Sequence, residues 1–208
     1  DCAIIARRMS SSNEHACAAK GMKRPYRLGR RAEKQHETRR RIVEAAVELH
    51  CTLGPARTTV SQIAERAGVQ RHTYYAHFPD ERSLFLACSG LALERDPLPQ
   101  VEDWARLPAG EERLRHGLEQ FYGWYERNFE QAACVLRDSE YHPLTRETVE
   151  LRMAPVFARA AELLGETLSE PQRDLLGVAL DFGCWRKLAG AQPPSGAAAL
   201  MSKAILAV

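Results

Sequence analysis

Apolar residues recur along most of this chain at steps of three and four, with polar residues between them, and that spacing predicts helices. The clearest pair lies at residues 59–78, TVSQIAERAGVQRHTYYAHF. Val60, Ile63, Ala64 and Ala67 share one face, and Thr59 ahead of them is a capping residue whose hydroxyl can bond the first free amides. Gly68 then breaks the run where a chain turning steeply between two helices needs a left-handed residue. Val69, Tyr74 and Phe78 resume the apolar face beyond it. Ala64 faces the joint, where a larger side chain would hold the second helix away from the first. The pair predicts a helix-turn-helix.

The flanking pattern completes the architecture. Ile42, Ala46, Leu49 and Leu53 predict a helix from about residue 37 to 53, which Gly54 and Pro55 terminate and which packs across the pair. After Pro79 and Asp80 a helix is expected over about 81–95, with Leu84, Cys88 and Leu91 inward. Pro97, Pro99 and Pro108 make 96–110 an irregular link. Leu114, Leu118, Phe121, Tyr125 and Phe129 form the next stripe, and a short helix runs on to about Glu140. A helix opened by Pro143 carries Val149, Met153, Val156, Ala160 and Leu163, with a kink expected at Pro155. Ser169, Glu170 and Pro171 open a helix carrying Leu175, Ala179, Phe182 and Leu188, and a final helix covers about 195–206. No strand alternation or internal repeat occurs. The predicted fold is all-α. Residues 1–30 form a disordered basic extension, 31–80 a three-helix domain, and 81–208 a second helical domain joined to it by one shared helix.

The polar face of the second helix narrows the function. Gln70, Arg71, His72, Thr73, Tyr75 and His77 carry donors or acceptors on a rod able to enter a major groove, and no carboxylate lies between Val69 and Phe78. An ordinary helical hairpin with a polar face has the same periodicity. The net charge of +2 says little, but its distribution is uneven. Residues 1–110 hold 18 Lys/Arg against 13 Asp/Glu, whereas residues 111–208 hold 11 against 14, so the N-terminal half suits a polyanion. Between residues 22 and 41, Lys23, Arg24, Arg27, Arg30, Arg31, Lys34, Arg39, Arg40 and Arg41 face only Glu33 and Glu37. Such a run is either a solvated tail or an arm that gains DNA affinity by releasing counterions. The chain opens on Asp1, and Met22 is a candidate natural start.

The residues Ala64, Ala67, Gly68, Val69, Thr73, Tyr75, His77 and Phe78 fill the pattern A-x-x-A-G-V-x-x-x-T-x-Y-x-H-F, which resembles the DNA-binding signature of the TetR/AcrR family of one-component transcriptional repressors. The resemblance implies that Thr73, Tyr75 and His77 lie at the DNA surface, the last two on phosphates, while positions 70 to 72 vary with operator sequence. Thr59 and Ser61, at the start of the first helix, join the expected contacts. The family usually has a lysine three residues after the His-Phe pair. This chain has Glu81 there, and Arg82 is the candidate to supply the charge instead. The resemblance further implies that residues 31–80 are a DNA-binding domain and 81–208 an effector-binding and dimerisation domain, giving a homodimer on a palindromic operator in double-stranded DNA, released by a small apolar effector.

The C-terminal half is rich in large aromatics, which either fill a solid core or line a cavity. Phe121, Trp124, Tyr125, Phe157 and Phe182 are the candidate effector-pocket residues. Leu175, Ala179, Phe182, Ala198, Met201 and Ile205 are the candidate dimer interface, because no later element of the chain covers the last two helices. Cys2, Cys17, Cys51, Cys88, Cys134 and Cys184 lack C-x-x-C spacing, so free thiols are expected, with no metal site and no cofactor. No phosphate-cradling glycine loop, H-E-x-x-H or G-x-S-x-G occurs, and the histidines have no evident partners for acid-base work. An enzyme is therefore disfavoured. The competing class is a helical protein-interaction or small-molecule-binding module without specific DNA binding. No apolar run approaches the roughly 20 residues that span a bilayer. A cytoplasmic protein is expected.

Overall fold

The computed structural model describes residues 24–208, with side chains from residue 29, and every regular element among the described residues is a helix. Lys23 and the residues before it, including Cys2, Cys17 and most of the expected basic extension, lie outside the described residues. Helix α1 (Arg24–Thr52) starts well before the expected residue 37. It passes through a division of the chain into two units, one ending at Glu37 and the other Thr38–Val208. In the first unit residues 29–37 are helical and exposed.

The second unit contains two cores. In the first, Ile42, Val43 and Ala46 of α1 meet Ile63 and Ala64 of α2 (Val60–Arg66), Tyr74 of α3 (Arg71–His77), and Phe78. Leu84 and Cys88 of α4 (Glu81–Arg95) close it. Asp80 starts α4 by accepting the Ser83 amide at 2.7 Å. Farther along α4, Leu93 packs on the second core, so this helix contributes to both.

The second core is built on α5 (Glu111–Arg127), whose Leu114, Leu118, Phe121, Tyr122 and Tyr125 are all buried. Around it lie α6 (Phe129–Ser139), α7 (Pro143–Arg152), α8 (Ala154–Leu164), α9 (Glu170–Leu180), α10 (Phe182–Ala189) and α11 (Pro194–Leu206). Two expected helices are interrupted. The kink anticipated at Pro155 is a break at Met153, because a proline in the first turn of α8 has no amide to continue α7. The helix expected across 171–188 stops at Leu180, where the Asp181 carboxylate caps a new helix by accepting the Cys184 amide at 3.1 Å. Carbonyls left unpaired at the end of α9 are taken by two phenols: Tyr122 donates to Ala179 O at 2.8 Å and Tyr125 to Leu180 O at 2.7 Å. Residues 96–110 contain a short 3-10 helix, Val101–Arg106, and are otherwise irregular as expected.

Candidate nucleic-acid interface and the junction behind it

Thr59 caps α2 through a reciprocal box: its hydroxyl accepts the Gln62 amide at 3.3 Å, while Gln62 Oε1 accepts the Thr59 amide at 2.8 Å. Gly68 turns the chain at φ +64°. Arg41, counted in the sequence among the basic arm, secures that turn. Its guanidinium donates to Ala67 O at 2.5 and 3.1 Å and to Gly68 O at 3.0 Å, so the carbonyls at the end of α2 gain a cation where the helix dipole favours one. Arg39 lies 4.4 Å over the Phe78 ring. Arg66 pairs with Glu48 of α1, with Nε 2.8 Å from Oε2. Much of the basic surface thus braces the reading unit.

Helix α3 is anchored by buried Tyr74 and by Phe78 just past its end, with ring centroids 6.1 Å apart. Its other residues face outward. Gln70, Arg71, His72 and Tyr75 are exposed, and Thr73 and His77 are half-buried. His72 Nε2 lies 3.3 Å from the Thr73 hydroxyl, and Tyr75 meets Tyr74 edge-on at 5.3 Å. Ser61 is exposed one turn into α2, near Thr59. The structure therefore gathers eight of the nine expected DNA-contacting residues on α2, α3 and their caps. Arg82 is the exception. Its Nε donates to Glu147 Oε1 of α7 at 2.6 Å, which draws the charge toward the second core, while Glu81 is exposed.

Behind the reading unit the two cores are joined by polar contacts. Asp138 of α6 is fully buried. Its carboxylate accepts the Ala56 amide at 2.9 Å, the Tyr141 hydroxyl at 2.7 Å and Arg137 Nε at 2.8 Å. Burial alone would raise its pKa; the hydrogen bonds from Tyr141, Ala56 and Arg137 prevail and hold it below the usual carboxylate range. Ala56 belongs to a 3-10 turn, Pro55–Arg57, leading from α1 to α2. Gly54, at φ +97°, lets that turn lie against Asp138. This clasp was not recognised in the sequence, since nothing local marks a lone Asp on α6 as the partner of a turn 82 residues away.

A cavity of about 70 Å³ lies beside the clasp, between α1, α4, α6 and α7. Of the five expected pocket residues only Trp124 lines it. Phe121, Tyr125, Phe157 and Phe182 instead pack on one another. Phe121 and Phe157 have centroids 4.7 Å apart, and Tyr125 and Phe182 5.3 Å apart. That cluster is filled by its own rings. The residues expected at the dimer interface divide by burial. Ala179, Phe182, Ala198 and Ile205 are buried within the chain, since α11 lies along α5, while Leu175 and Met201 are half-buried. The large apolar side chains that α9 and α11 leave outside are Val178 on α9, 54% exposed, and Leu200 and Leu206 on α11, 46% and 36% exposed. Among the described residues no group of three metal-ligating side chains occurs, no helix is long and apolar enough to cross a membrane, and four cysteines are free thiols.

Residues 42–88, from α1 into α4, match the model of the tetR family of bacterial regulatory proteins. Over 58 residues the chain is 45% identical to the HTH-type transcriptional regulator TtgR of Pseudomonas putida, a match covering 28% of each protein. Over 67 residues it is 39% identical to the HTH-type transcriptional regulator SrpR of Pseudomonas putida, covering 32% of this chain and 30% of that one. The chain thus spans less than a third of the length of these relatives. A solved transcriptional regulator from Rhodococcus sp. Rha1 superposes with a TM-score of 0.59 at 17% identity, over 81% of this chain and 96% of that one. At that identity the likeness is one of fold.

Proposed function

We propose, from the premise that this chain belongs through residues 42–88 to the tetR family of bacterial regulatory proteins, that it is a sequence-specific DNA-binding transcriptional repressor without enzymatic activity. The observation that carries this reading is α3 itself: a rod held from behind by Tyr74 and Phe78, presenting Gln70, Arg71, His72, Thr73, Tyr75 and His77 with no carboxylate among them. Arg71 and His72 read base edges in the major groove. Thr73, Tyr75 and His77, with Thr59 and Ser61 at the start of α2, position the helix on the backbone. Arg82, bonded to Glu147, is a secondary phosphate contact.

One recognition helix reads only a few base pairs, so two copies act together on a palindromic operator with half-sites about one helical turn apart. The face bearing Val178 and Leu200 is the dimer surface. A small molecule bound by the helical half releases the DNA by shifting α4, which belongs to both cores.

The test compares Arg71→Ala with Tyr75→Phe in gel shifts, on a duplex selected from a random pool and on its scrambled counterpart. A base-reading arginine is worth about 1–3 kcal/mol of discrimination, whereas a phosphate contact weakens both duplexes alike. Equal losses on both duplexes for Arg71→Ala sink the assignment.

A further inference from the structure

The walls of the junction cavity come from both cores: Val47 and His50 of α1, Ala92 of α4, Val135 of α6 and Met153 at the break between α7 and α8. We propose that this cavity, and not the aromatic cluster of the second core, is a binding site for an uncharged, largely apolar small molecule carrying at most one or two hydrogen-bonding groups.

The chemistry of the walls sets the class. Their hydroxyls and one thiol are already engaged. The Thr145 hydroxyl lies 2.7 Å from His142 Nδ1, and the Thr148 hydroxyl donates to Leu144 O at 2.8 Å. Ser89 donates to Leu86 O and Cys88 to Phe85 O, both at 3.3 Å. His50 is buried, with Nδ1 3.5 Å from Cys88 Sγ and its ring 5.1 Å from that of Phe85. Burial pushes its pKa down to about 4 and pushes the thiols up, Cys51 to about 11 and Cys88 to about 12, so all three are neutral at pH 7. Arg152, the only lysine or arginine lining the cavity, is exposed and gives Nη2 to Leu86 O at 3.2 Å. An ammonium drawn inside would lose its water with no carboxylate among the lining residues, and a carboxylate would meet only Arg152, whose guanidinium is exposed to water and already bonded to Leu86 O.

Size sets a second limit. An apolar cavity of about 150 Å³ accepts benzene, and this one measures about 70 Å³. A ring therefore enters only if a wall yields. Met153 can, because its side chain is unbranched and its backbone lies where α7 ends and α8 begins. Cavity-lining Val47 of α1 and Cys88 of α4 pack in the same core as Tyr74 of α3, so a guest that parts those walls from α6 and α7 acts on the DNA reader. Only this last consequence rests on the repressor reading; binding is measured on the protein alone.

The test uses three probes of one skeleton at pH 7, benzyl alcohol, benzoate and benzylammonium, titrated against the full chain by thermal shift and by ligand-observed NMR. Benzyl alcohol should stabilise the protein with a saturating dose response, and the two ions should not. Ala92→Leu, which fills the cavity, should weaken benzyl alcohol at least about tenfold, or 1.4 kcal/mol. Val135→Ala, which enlarges it, should bind the same probe more tightly, and this variant keeps the test decisive if the filled one does not fold. Benzoate or benzylammonium binding as well as the alcohol overturns the ligand class. No shift with any probe, equal affinity in Ala92→Leu and wild type, or unchanged affinity in Val135→Ala overturns the site. A failure of operator binding in gel shifts would sink the repressor reading and leave these outcomes unchanged.

Discussion

Replacing Asp138 with alanine removes the acceptor on which the α1–α2 turn rests, and the cost follows from what each donor does next. The Ala56 amide is part-buried and loses a hydrogen bond to a charged acceptor, worth about 1.5–3 kcal/mol. Arg137, with its side chain 47% exposed, and Tyr141, 59% exposed, turn to water, so each adds at most about 1 kcal/mol. The carboxylate's own desolvation is recovered on its removal, which trims the total. The expected loss is about 2–4 kcal/mol, or a fall in Tm of about 4–16 °C for a domain of this size. Asp138→Asn keeps a carbonyl for Ala56 but offers an amide to Arg137 and Tyr141, and should lose about half as much. Urea unfolding at pH 7 measures the loss, and hydrogen exchange at the Ala56 amide localises it. A loss below about 1 kcal/mol for Asp138→Ala, or full exchange protection of Ala56 in that variant, refutes the clasp.

Other parts of the structure are equally open to test. His50 titrates at about 4 when folded and at its ordinary 6.5 when unfolded. Between those values only the unfolded chain binds the proton, so stability should fall by about 3 kcal/mol as pH drops from 6.5 to 4. Urea unfolding across that window should show the slope in wild type and lose it in His50→Phe. At Gly54, φ +97° already disfavours a side chain, and an added Cβ would run into the Asp138 carboxylate. Gly54→Ala should therefore cost about 2 kcal/mol or more, and a neutral calorimetric result would contradict the placement of the turn. Val178→Asp and Leu200→Asp should yield folded monomers in sedimentation, whereas Phe182→Asp, placed in a buried position, should cost stability first. A protein still dimeric with both surface charges would move the interface elsewhere.

The features legible in the sequence were those whose cause is local. Gly68, the Thr59 cap, the inward Ala64 and the proline breaks each act within a turn or two of their own position. The features missed depend on which residues the fold brings together. Arg41 reads as one more charge in a basic run until the Ala67 and Gly68 carbonyls arrive beside it. Nor does anything local mark the pairing of Arg82 with Glu147, which lies 65 residues on in α7. Helix α11, PSGAAALMSKAIL, is apolar nearly all round, so periodicity offers no choice of inner face; packing along α5 makes that choice and turns Ala198 and Ile205 inward. Aromatic abundance is ambiguous for a related reason. Large rings line cavities and also fill them, and here Phe121, Tyr125, Phe157 and Phe182 fill the space with one another.

The contacts across the junction differ in how much of a signal they can carry. An effector that weakens DNA binding between five- and 150-fold needs a coupling of about 1–3 kcal/mol. The Arg82–Glu147 pair is about half exposed on both sides and is worth at most about 1 kcal/mol, so its loss alone reaches only the low end. The Asp138 clasp is larger, and it holds the turn that sets where α2 begins. It also shares α6 with Gln131 and Val135 of the cavity wall, so on the proposed mechanism one displacement of that helix both admits a guest and loosens the turn. By reciprocity, operator DNA that orders the turn must then disfavour the guest by the same factor. On that mechanism the buried carboxylate, rather than the surface ion pair, is the contact through which occupation of the cavity is felt at α3.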